Sequence, residues 1–241
     1  MYYGGIANRP AKLAYLLHRN HPDSIMACIC SFTNHYFSTI RLIIMKTLSA
    51  KQITERAVET YPFTDEWKRL FDEPDIRFST LVRGKAKQGK STYCMKFAQY
   101  ASQFGRVLYV SAEERLNSKT LQNRLDQCGV TSEKVRFIHT KKLSEVERVI
   151  QTGGYRFVII DSVQHIKLKY EDFERLRVHF RRRKLSWHLI MQMGENITKW
   201  EHEVDVLVEV KGGRAYTHGR YKAADSMEIF KSINNQMTLF S

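Results

Sequence analysis

The stretch Gly84-Lys-Ala-Lys-Gln-Gly-Lys-Ser91 decides how this 241-residue chain is read. It fits G-x-x-x-x-G-K-[ST], a loop whose backbone N–H groups cradle phosphate oxygens. A strand pattern over residues 79–82 ends just before Gly84, and an amphipathic helical pattern (Tyr93, Phe97, Tyr100, Ala101) begins just after Gly89. A helix N-terminus at that point adds free N–H groups and the positive end of its dipole to the anion site. The octet and its context imply ATP as ligand, held by Gly84, Lys85, Ala86, Lys87, Gln88, Gly89, Lys90, Ser91 and Thr92. Lys90 is expected to reach the β- and γ-phosphates, and the Ser91 hydroxyl to ligate Mg²⁺. A chance Gly-Lys turn at a helix start is the bland alternative.

Outward from this loop, strand and helix patterns alternate. The spacing predicts helices over 51–59, 64–71, 90–103, 116–127, 143–151 and 171–183, and strands over 79–82, 106–111, 135–139, 157–161 and 188–192. Such alternation predicts an α/β fold with a mainly parallel central sheet and helices on both faces. Beyond Asp205 the pattern becomes short strands (205–210, 214–218, 227–231) split by Gly212-Gly213 and Gly219, an antiparallel C-terminal extension. Residues 1–44 contain one acid, Asp23, and read as a poorly ordered extension, with Met45 the expected natural start. Residues 45–75 then form a short helical lead-in, 76–232 the nucleotide-binding domain and 233–241 a tail.

Two further strand patterns end in acids. Arg156-Phe-Val-Ile-Ile-Asp161 is an apolar run closed by a carboxylate. Downstream of a phosphate loop, that is where an Asp helps hold Mg²⁺. Arg106-Val-Leu-Tyr-Val-Ser-Ala-Glu-Glu114 ends in two acids. They either cap the next helix, where negative charge is favourable, or one of them orients and polarises the attacking water. Spacing alone does not say which acid would do so.

Leu108-Tyr-Val-Ser-Ala-Glu-Glu114 and Ile160-Asp-Ser-Val-Gln164 resemble motifs of the RadA/Sms branch of RecA-like P-loop ATPases, and the chain is also similar to DnaB-type helicase domains. The resemblance covers about residues 76–222 and implies a RecA-like P-loop NTPase fold. It assigns the catalytic acid to Glu113 and a γ-phosphate sensor to Gln192. It further suggests Arg220 or Lys222 as a basic residue acting on a neighbouring subunit's nucleotide, in a ring or filament. Loops 165–170 and 194–200 then face single-stranded DNA, with Lys167, Lys169 and Lys199 on phosphates and Trp200 for base stacking. His202-Glu-Val-Asp205 resembles the motif preceding the antiparallel strands, whereas Gly219-Arg-Tyr-Lys222 only approximates the family's Lys-Asn-Arg-Phe-Gly segment. The family's four-cysteine zinc element and protease-like C-terminal domain have no counterpart in these 241 residues.

A net charge of +14 suits a polyanionic partner, although many basic proteins bind no nucleic acid. The cluster Arg181-Arg-Arg-Lys184 reads either as a DNA contact or as cations at a helix C-terminus. Cys28, Cys30, Cys94 and Cys128 lack C-x-x-C spacing, so reduced thiols, no zinc and a cytoplasmic location are expected. The interrupted apolar stretch 24–44 argues against a membrane span. Gln236-Met-Thr-Leu-Phe240 resembles sliding-clamp docking peptides. Together these features predict an ATP-hydrolysing motor on single-stranded DNA in recombination, repair or replication. The alternative is an ATP-switched assembly or loader protein, KaiC-like, without translocation. A small-molecule kinase fits less well, because the Glu113 motif belongs to water activation.

Overall fold

The computed structural model describes residues 47–194, 197–221 and 225–230. The N-terminal extension, Cys28, Cys30, Lys222 and the clamp-like motif at 236–240 lie outside the described residues. The chain divides into residues 1–57 and 58–241.

In the first unit, α1 (Ala50–Thr54) opens with a capping box. Ser49 Oγ accepts from Gln52 N–H at 3.2 Å, and Gln52 Oε1 accepts from Ser49 N–H at 2.9 Å. The helix predicted over 51–59 therefore stops short, with Glu55 as its C-cap.

In the second unit, Glu59 belongs to a different element: its carbonyl accepts from Ile76 N–H, and Thr60 bridges Asp75. Next comes α2 (Asp65–Phe71), with acids in its first turn and Lys68 and Arg69 in its last, as the helix dipole favours. It buries Trp67, Leu70 and Phe71. Tyr61 and Phe63 are buried beside them, and Phe63 meets Phe71, Phe78 and Phe97 with ring centroids 5.9, 6.0 and 6.2 Å away. A domain boundary at 76 would cut this aromatic core in two. The segment carrying Tyr61 to Phe71 is part of the nucleotide-binding domain.

The sheet contains β1 (Ser79–Gly84), β2 (Arg106–Ser111), β3 (Val135–His139), β4 (Tyr155–Asp161), β5 (Ser186–Gln192), β6 (Val206–Lys211), β7 (Arg214–Gly219) and β8 (Asp225–Glu228). Their order is β3-β2-β4-β5-β1-β6-β7-β8, parallel through β6 and antiparallel for the last two pairings. Successive residues of each central strand enter opposite cores, as the two-residue period of a strand requires. Val82, Val107, Tyr109, Phe157, Ile159 and Ile190 join the aromatic core with α3 (Lys90–Ala101) and Leu121 of α4 (Lys119–Cys128). Leu81, Leu108, Val110, Val158, Ile160 and Leu189 join the other, against α5 (Leu143–Thr152), α6 (Tyr170–His179) and α7 (Ile197–Glu203).

The last of these helices falls in a stretch expected to be a DNA-facing loop. Trp200 is buried against Phe173 and Tyr170, so it is a core residue and no stacking platform. The basic cluster at 181–184 follows α6, which ends at His179, earlier than expected. Arg183 donates to the carbonyls of Ile150, Gln151 and Gly153, closing the C-terminus of α5, and Lys184 pairs with Glu59. Half of the cluster is thus committed to holding the fold.

His188 sits within the aromatic core, 4.4 Å from the Phe97 ring and 5.1 Å from Phe78, with Nδ1 2.7 Å from the Thr80 hydroxyl. Its Nε2 is buried without a partner. Burial pulls its pKa down from 6.5 to about 3. Between those two values the unfolded chain binds a proton that the folded chain refuses. This contribution to stability is therefore complete above pH 6.5 and is lost as pH falls toward 3. At pH 5 the expected loss is about 2 kcal/mol. Urea unfolding at pH 7.5 and pH 5 should show that loss, and His188→Leu should remove about that much of the pH dependence. An unchanged dependence in the variant would refute the assignment.

Candidate functional site

The C-terminal ends of β1, β2, β4 and β5 carry Gly84, Ser111, Asp161 and Gln192, and register aligns Gly84 with Gln192 and Ser111 with Asp161. Ligand crevices of open α/β sheets lie at this edge. A cavity of about 680 Å³ occupies it, within the usual range for small-molecule sites.

The phosphate loop forms one wall. Gly84 lies so close to β6 that a Cβ would sit 2.3 Å from the Val210 carbonyl oxygen. Gln88 Oε1 accepts from Gly212 N–H at 2.8 Å, tying the loop to the β6–β7 hairpin. Ala86, Lys87, Gly89, Lys90, Ser91 and Thr92 line the cavity, whereas Gly84, Lys85 and Gln88 frame it. Gly89 is the N-cap of α3 and provides no side-chain cap, so a ligand can take the helix's first N–H groups. Lys90 is buried, and its Nζ donates to the carbonyls of Gly84 at 2.9 Å and Lys85 at 2.8 Å. Burial lowers its pKa, while Asp161 and Glu113 oppose that shift.

Asp161 accepts a 2.7 Å hydrogen bond from the Tyr109 hydroxyl, and the Ser91 hydroxyl is near enough to favour its charged form. Burial raises its pKa, those two hydroxyls lower it, and the Glu113 charge raises it again. Burial also pushes Tyr109 well above the usual phenol range, so it stays protonated and remains a donor. A hydroxyl and a carboxylate side by side suit a hard cation. Mg²⁺ is such a cation, and it usually takes only one or two protein oxygens and keeps several waters. Ser91 and Asp161 are the groups that would hold it; when bound it neutralises phosphate charge.

Geometry separates the two acids after β2. Glu114 accepts from Arg124 at 2.8 Å and from the Ser118 hydroxyl at 2.7 Å, and Ser118 in turn caps α4. Glu114 is therefore spent on the start of a helix. Glu113 keeps a 60% exposed side chain at the cavity, its carboxylate 3.7 Å from His165 Nδ1. The same nitrogen lies 2.7 Å from the Ser162 hydroxyl. Gln192 lines the cavity, and its backbone carbonyl accepts from Gln164 Nε2 at 3.1 Å.

Arg220 is elsewhere. Gly219 pairs with Val206, and Val206 with Thr80, which places Arg220 at the end of the sheet opposite the phosphate loop. There it pairs with Asp205 at 3.3 Å, so it is no part of this chain's own cavity. Lys167, Lys169 and Lys199 are exposed, in the loop after β4, at the N-cap of α6 and on α7, and none lines the cavity. Tyr109, Arg124, Ser162 and Phe230 are cavity or supporting residues that motif reading did not find. Cys94 and Cys128 are thiols whose pKa values burial raises. No helix among the described residues is long and apolar enough to cross a membrane.

This mainly parallel sheet with helices on both faces and antiparallel end strands is a RecA-like α/β fold. No family model matches the chain. It is 30% identical over 162 residues to the DNA repair protein RadA of Treponema pallidum, a match taking in 61% of this chain. That match covers 35% of the relative, so the chain spans about a third of its length. In three dimensions it is similar to the flagellar accessory protein FlaH from Methanocaldococcus jannaschii (TM-score 0.53, 14% identity, 71% of this chain and 95% of that one). A KaiC-like protein from Pyrococcus horikoshii gives TM-score 0.50 at 13% identity over 71% of this chain and 92% of its own. At such identities the two structures speak for the fold alone.

Proposed function

We propose that this chain is a Mg²⁺-dependent ATPase that acts on single-stranded DNA and works as a ring or filament. The observation that carries the ATPase reading is the convergence of Lys90, Ser91, Asp161 and Glu113 on one cavity, although they come from three separate strand ends. In this reading Lys90 and the α3 N-terminus hold the phosphates, and Glu113 takes a proton from the attacking water. Gln192 monitors the γ-phosphate. The resemblance, not a contact, assigns Arg220 to a neighbour's nucleotide, and its exposed position remote from its own cavity is compatible with that. The DNA reading is supported by the net charge of +14, the three exposed lysines and the resemblance to a DNA repair protein.

The test is phosphate release with and without single-stranded DNA, combined with DNA affinity across salt. Each lysine on a phosphate contributes about 0.7 to the slope of log K against log salt for single strands. Replacing Lys167, Lys169 and Lys199 with alanine should therefore flatten that slope by about 2. Absence of both DNA binding and DNA-stimulated hydrolysis would reject the DNA reading in favour of an ATP-switched assembly protein.

A further inference from the structure

Directly after β8, Ile229 and Phe230 lie beside the phosphate loop. Ile229 N–H donates to the Gly213 carbonyl at 2.8 Å, Lys96 Nζ donates to the Ile229 carbonyl, and the Ile229 side chain is buried. These three contacts pin the segment to the β6–β7 hairpin and to α3 together. The next residue, Phe230, lines the cavity while remaining 50% exposed. One part of its ring packs on Gly89, where a Cβ would meet Cε2 and Cζ at 3.0 Å. Glycine at this position therefore lets the ring lie directly against the start of the phosphate-binding helix.

The cavity is otherwise built for charge. Lys90, Ser91, Asp161 and Glu113 occupy its phosphate end, and Arg124 is engaged by Glu114. Phe230 is the one aromatic residue lining it among the described residues. A nucleoside triphosphate held by its phosphates must still place a flat, aromatic base near the cavity. A ring fixed at its backbone and open over half its surface offers a face for that base.

We propose that Phe230 is the stacking platform for the nucleobase. This rests on the ATP reading above and deepens it: the phosphate loop supplies attraction for any polyphosphate, and Phe230 supplies preference for one that carries a base. Every base presents a π-face, so such a platform rewards the base without reading its hydrogen-bonding edge.

The experiment measures the affinity of the full chain for ATP with Mg²⁺ and for inorganic tripolyphosphate, in the native protein, Phe230→Leu and Phe230→Trp. Leucine keeps an apolar contact with Gly89 but removes the aromatic face; tryptophan restores and enlarges that face. Phe230→Leu is expected to weaken ATP about tenfold, leave tripolyphosphate unchanged, and be rescued by Phe230→Trp. Equal weakening of both ligands, no weakening of ATP, or failure of tryptophan to bind ATP as well as the native chain would overturn the proposal. If the native chain binds neither ligand, the phosphate-loop reading itself fails. That result differs from a native chain that binds both and a leucine variant that treats them alike. A melting temperature for each variant shows whether the segment still packs.

Discussion

Lys90→Ala is expected to lower ATP hydrolysis by about 10²–10³-fold or more while leaving the fold intact. Lys90 is the buried cation of the cavity, and its Nζ is held by two loop carbonyls. Those carbonyls fix the ammonium group, and Asp161 and Glu113 favour its charged form against the cost of burial. A preorganised cation of this kind stabilises charge developing on a transferring phosphoryl group more strongly than it stabilises the ground state. Alanine removes the cation and leaves Gly84 and Lys85 carbonyls facing a cavity that water can enter. The structural cost is therefore expected to be small, and the melting temperature should change little. Phosphate release under saturating ATP, with ATP affinity measured separately, checks the expectation. A variant that hydrolyses ATP at the normal rate would remove the nucleotide reading altogether.

The legible part of this site was local in sequence. The phosphate loop joins a strand to a helix within one octet, and Asp161 closes an apolar run, so both could be read without long-range contacts. The parallel sheet was legible for a similar reason: its central strands are buried on both faces and read as short apolar runs. What stayed hidden depends on pairings across the fold. Nothing local marks Tyr109 within the apolar run of β2, and only the register with β4 brings its hydroxyl to Asp161. Arg220, which the resemblance assigns to a neighbouring subunit's nucleotide, is placed by the β6–β7 register at the end of the sheet opposite the phosphate loop. The helix α7 is short and buries mainly Trp200, too little for a helical period to show. Tyr61 and Phe63 alternate as a strand would, yet they serve as aromatic anchors beneath α3. Phe230 follows the last strand pattern, and nothing local in the sequence marks it as a cavity residue.

The other large effect is expected for Glu113→Gln, which should keep ATP bound and slow its hydrolysis by about 10²–10⁴-fold. Two adjacent acids made this choice ambiguous in sequence, and their surroundings resolve it into different expectations. Glu114 spends both carboxylate oxygens, one on Arg124 and one on Ser118, at the start of α4. Its replacement by glutamine weakens that ion pair and should appear first as a lower melting temperature. Glu113 has an exposed carboxylate facing the cavity, near His165, and no ion pair with Lys or Arg among the described residues. Glutamine there preserves size and hydrogen bonding but cannot accept a proton from water. Single-turnover hydrolysis beside ATP affinity distinguishes the two acids, because a lost base slows chemistry without loosening the nucleotide. If Glu114→Gln stops hydrolysis in a folded protein while Glu113→Gln does not, the roles are reversed. The catalytic base would then have to leave Arg124 before each turnover.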